Sequence, residues 1–129
     1  MSCPLFLPAS PLGDFMPAGM PLGEVYGGTC AAASGAALPD DKIRRCCNVG
    51  YARATCEQAR LSPADAARFL VKADRGGTVE VAWSLERHHH PVAVGTLQVA
   101  VGATDAAAAP LELQARACAA SYLRRVGRA

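Results

Sequence analysis

Aromatic side chains are scarce in this sequence: three Tyr, three Phe and one Trp make up 5% of 129 residues. The hydrophobic fraction of 51% therefore leans on alanine and the aliphatic residues, and the first 40 positions hold few large apolar groups. A chain of this length buries about two-thirds of the surface its unfolded form exposes. One modest core is possible, and the second half builds it more easily than the first. Something besides apolar burial has to hold the first half.

Other absences narrow the function. Net charge is only +2, with acids and bases interspersed, a field too weak for nucleic-acid binding. No apolar run approaches the roughly 18 residues of a membrane-spanning helix. The start, MSCPLFLPASPLGDF, lacks a basic leader, and Pro4, Pro8 and Pro11 interrupt its short apolar run, so it does not read as a secretory signal. A cytoplasmic location is the expectation, and there clustered cysteines are metal ligands or redox groups more often than disulfides. Nucleophile elbow, phosphate loop and dinucleotide fingerprint are all missing. Glu80 and Glu86 share one strand face but stand about 20 Å apart, too far for paired acid and base work. With no substrate-binding signature, an electron carrier or accessory subunit is expected rather than an enzyme.

What the chain does contain is six cysteines, five of them in the first 56 residues. Cys30, Cys46, Cys47 and Cys56 lie in YGGTC and LPDDKIRRCCNVGYARATC, among glycines and arginines. Cys3 precedes Pro4, a Cys-Pro step of the kind found in ferredoxin ligand runs. Gly27, Gly28 and Gly50 offer bendable backbone near these thiols. Neighbouring side chains diverge, so only one of Cys46 and Cys47 is expected to face a given centre. Cys47, which opens CNVGYARATC, is the choice.

The expected ligand set is therefore Cys3, Cys30, Cys47 and Cys56. No C-x-x-C occurs, which disfavours a zinc knuckle. Long, unequal gaps between ligands suit an iron–sulfur cluster surrounded by separate loops. Arg44, Arg45 and Arg53 lie near the thiols in sequence, where they would offset the negative charge of a thiolate-bound cluster. The cofactor expected is an iron–sulfur cluster of the [4Fe–4S] type, with zinc as the alternative.

Taken together, CPLFLP, YGGTC, CCNVGYARATC and the distal ERHHHPV resemble a group of small bacterial cysteine-containing proteins. These begin with Cys-Pro and carry a CNxGYA segment followed by a further cysteine. The resemblance spans most of the chain and implies the same four ligands, with no activity attached. Cys46 departs from that pattern and puts the third ligand in question.

Residues 1–23, with five prolines and three glycines, read as an extended arm over the protein or a partner, not a helix or central strand. Pro39, Asp40 and Asp41 start a short helix that runs to Cys47, with Asn48 and Gly50 as its stop. Tyr51 to Arg60 add one or two helical turns, and Ser62-Pro63-Ala64-Asp65 reads as another helix start. A strand from Phe69 to Asp74 meets a turn at Asp74-Arg75-Gly76-Gly77. Val79, Val81, Trp83 and Leu85 then alternate with polar or small residues, the strongest strand signal in the chain.

His88, His89 and His90 are expected in a surface loop. A third strand covers Val92 to Val101, with a bulge suggested at Gly95. From Pro110 a helix places Leu111, Ala115, Cys118, Tyr122 and Val126 in one stripe, with Cys118 as a buried structural thiol.

The expected fold is α+β: residues 1–61 form the proline-rich arm and metal-binding region. Residues 62–129 form a three-stranded antiparallel sheet packed by the C-terminal helix. The expected function is single-electron transfer through the cluster, alone or as a small subunit of a redox complex with a protein partner. The alternative is a zinc-stabilised interaction module without redox activity.

Overall fold

The computed structural model describes residues 1–12, 21–33, 38–48, 56, 62–102 and 109–127. Two sheets and a long helix share one core. β1 (Phe6–Pro11) pairs antiparallel with β2 (Tyr26–Cys30), and β3 (Ala66–Asp74), β4 (Thr78–Arg87) and β5 (His90–Ala100) form an antiparallel sheet in that order. α1 (Asp40–Lys42) continues as a π turn over Ile43–Cys47, and α2 (Pro110–Arg125) closes the fold. No helix among the described residues is long and apolar enough to cross a membrane.

The three-stranded sheet follows the alternation of its sequence. Val79 and Val81 are fully buried toward α2, and across the register from them lie Val71, Leu97 and Val99. Gly76, at φ +85°, closes the first hairpin with its N–H donated to Asp74 Oδ1. His88 and His89, both at positive φ, make the two-residue turn of the second, which suits the twist of antiparallel strands. The Asp65 carboxylate accepts the His88 N–H at 2.8 Å and so fixes that turn.

Several expectations fail here for identifiable reasons. Ser62 to Asp65 starts no helix: Ser62 Oγ accepts the Ala64 N–H, but Asp65 donates its own N–H to Glu86 O and leads directly into β3. Gly95 marks no bulge; it pairs squarely with Trp83, whose indole lies where a β-carbon at 95 would stand. The irregularity falls at Leu85/Glu86 instead, and Val92 and Val94 remain exposed.

The arm is extended, yet part of it is a strand. Pro8 and Pro11 are tolerated because β1 has a partner on one side only, and its register slips between Pro8 and Ser10. Two of its apolar residues reach this chain's own core. Phe6 and Leu22 are each 1% exposed. Phe15, Met16 and Met20 lie outside the described residues.

YGGTC is strand, and its glycines serve close approach. A β-carbon on Gly28 would lie 2.0 Å from Leu7 O, inside the backbone of the neighbouring strand. Cys3, Phe6, Leu22, Tyr26 and Ile43 join Ala67, Val79, Val81, Ala115 and Leu123 in a single hydrophobic cluster, so the front half is not coreless.

α2 is buried on more than the expected stripe, because it packs against both β1 and the three-stranded sheet. Gln114, Ala115, Ala117, Ala119, Ser121 and Leu123 are buried, while Val126 is exposed. Gly28→Ala should cost about 3 kcal/mol, since two backbones would have to part. Urea denaturation measures it, and a midpoint equal to the wild type would contradict the close β1–β2 approach.

Candidate functional site

Five thiols face one another. Cys3, Cys30, Cys46, Cys47 and Cys56 line a single cavity together with Leu5, Phe6, Leu38 and Lys42. All five are buried, from 3% exposed at Cys46 to 8% at Cys30 and Cys56, and none of the six cysteines of the chain is in a disulfide. The cavity is small, about 20 Å³, or roughly one water's worth of room. Its walls are carbon and sulfur, with Lys42 as the charged residue among those lining it.

Cys3, Cys30 and the Cys46–Cys47 pair arrive on three different local devices. Cys3 sits in a turn closed by Phe6 N–H to Cys3 O, and its own N–H is donated to Cys47 O at 3.1 Å. Cys30 ends β2, opposite Phe6. Cys46 and Cys47 belong to the π turn, in which the Asn48 N–H reaches back five residues to Ile43 O. That turn is wider than an α-helical one, so consecutive side chains are rotated less from each other. Both adjacent cysteines therefore line the cavity, where only one was expected.

Two buried amides hold these segments: Asn48, expected only as a helix stop, and Gln114, for which no role was expected. Asn48, 1% exposed, grips β2 as a strand would: Oδ1 accepts the Tyr26 N–H and Nδ2 donates to Tyr26 O, both at 2.9 Å. Nδ2 also reaches Ile43 O at 3.1 Å. Gln114 on α2 is fully buried and donates Nε2 to Cys3 O and Phe6 O at 2.8 and 2.9 Å, while Ser2 Oγ donates to its Oε1. The only signal in the sequence was a polar residue beside an apolar stripe. Hydrogen bonds across 112 positions are not visible in it.

Burial holds two of these thiols, Cys3 and Cys47, protonated. Burial pushes Cys3 up to about 11, assisted by the charges of Cys30, Cys56 and Cys46 and opposed by a backbone hydrogen bond at Leu5. Burial pushes Cys47 up to about 12, and Cys3, Cys46, Cys56 and Cys30 all add to the shift. A protonated, enclosed thiol is a poor nucleophile, which argues against peroxidase or acyl-transfer chemistry at these two residues.

Other candidates fall elsewhere. Cys118 does not line the cavity; it is half-buried on α2 beside Tyr122 and Arg125, and burial raises its thiol to about 11. His88, His89 and His90 are exposed at the β4–β5 turn and do not line it. Arg44 is exposed, and Arg53 and Gly50 lie outside the described residues. Among the described residues no three His, Cys, Asp or Glu side chains stand close enough to hold a single metal ion.

Asn48→Ala would orphan the buried N–H and C=O of Tyr26 and should cost about 3 kcal/mol by urea denaturation. The two thiols also predict a pH dependence for metal-free protein. Both stand above the ordinary value of 9.0, so between about 9 and 12 the folded state binds more protons than the unfolded one. Their contribution to stability should be fully present below pH 9 and fall as pH rises through 11 to 12, with thiolate ultraviolet absorbance rising over the same range. Thiolate absorbance complete by pH 9 in folded protein would contradict the buried cluster. Comparison with protein-family models, with curated proteins and with solved structures gives no match.

Proposed function

We propose that this protein binds an iron–sulfur cluster through Cys3, Cys30, Cys47 and Cys56 and passes single electrons through it to a protein partner. The observation that supports this is the gathering of five cysteines from separate segments around one apolar cavity. Thiols this buried are costly to ionise alone, but a bound cation reverses the balance and displaces their protons. An apolar enclosure also excludes water and tunes the potential of a cluster, and the Lys42 ammonium would offset its negative charge.

Among the described residues no group of three His, Cys, Asp or Glu stands ready to hold a metal ion, so either metal enters only as the cysteine side chains move. The 20 Å³ cavity demands the smaller movement for one ion and the larger for a cluster. Zinc in a redox-inert interaction module is therefore the second reading, favoured by that small volume.

Anaerobically purified protein decides between them. The cluster reading expects brown protein with iron and acid-labile sulfide in equal amounts, and a reversible one-electron step in a redox titration. Colourless protein that retains zinc supports the second reading, and protein that retains neither metal overturns both. Cys30→Ala should lose the centre, whereas Cys118→Ala should keep it, as read by metal content.

A further inference from the structure

Five thiols line a cavity in which a [4Fe–4S] cluster offers four positions, one thiolate to each iron. Cys3 and Cys30 stand on separate segments, each fixed by its own backbone setting, and Cys56 lines the cavity with them. Cys46 and Cys47 differ: they are consecutive residues of one π turn, 3% and 6% exposed, and both line the cavity. Exchanging one for the other needs only local rotation within that turn, while Asn48 keeps the turn on β2.

We infer that Cys46 and Cys47 are interchangeable ligands for one iron, so that the centre has three fixed thiolates and one exchangeable position. In the exchange, the Cys46 sulfur loses its proton and bonds to iron. The Cys47–iron bond breaks and the Cys47 sulfur takes up a proton. No electron is lost or gained, so the cluster keeps its oxidation state while its ligand changes. The inference rests on the iron–sulfur reading and adds to it a site of ligand lability.

The test uses full-length protein purified without oxygen: wild type, Cys46→Ala, Cys47→Ala and the double variant. Each single variant should keep iron and sulfide within about twofold of wild type, and the double variant should lose at least about tenfold. The electron paramagnetic resonance spectrum of reduced wild type should be a sum of two signals, each single variant retaining one. Far-ultraviolet circular dichroism checks that each variant folds, and the single variants with their spectra suffice if the double variant does not.

Loss of the cluster from one folded single variant, or a single-variant spectrum identical to wild type, would overturn the exchange and leave the iron–sulfur reading standing. Wild type without iron and sulfide would instead remove the reading beneath it.

Discussion

Two buried carboxamides hold the front of this molecule in place. Gln114 and Asn48 are 0% and 1% exposed, and between them they engage backbone atoms of Cys3, Phe6, Tyr26 and Ile43. A buried amide tolerates no loss of partner, because desolvation is already complete and each orphaned group costs on the order of 1–3 kcal/mol. Apolar contacts would let these short segments slide. Directed hydrogen bonds fix them, and with them the cysteines they carry.

The thiols are part of the core as well as candidate ligands. Cys3, Cys46, Cys47 and Cys56 belong to the same hydrophobic cluster as Phe6, Val81 and Leu123. Protonated cysteine behaves as a small apolar residue and packs accordingly. These side chains thus fill the interior and tie the cavity they line to the packing of the rest of the core.

α2 joins the two sheets. It lies between the two sheets, and its small buried residues, Ala115, Ala117 and Ala119, let both approach. Tyr26 extends the contact. Its hydroxyl donates to Ala117 O and is bonded to Ser121 Oγ and Arg124, which in turn pairs with Glu24. Gly23 passes so close to Ser121 that a β-carbon there would lie 2.6 Å from its Cβ. β2 is thus anchored to α2 at its start.

The sequence by itself determined the three-stranded sheet, the Asp74–Gly77 turn and the C-terminal helix, since alternation and helical period are local properties that burial on one face imposes. It also drew attention to Cys3, Cys30, Cys47 and Cys56, through their placement in segments poor in core-formers, and these four line the cavity together with Cys46. Tertiary structure alone decided the rest. Strand pairing of the proline-rich arm depends on having an open edge, and the depth of Gln114 depends on two sheets meeting one helix. The facing of both Cys46 and Cys47 toward the cavity depends on a π turn that Asn48 holds from across the chain. Each is a contact between residues far apart in sequence, and no periodicity within a segment encodes such a contact.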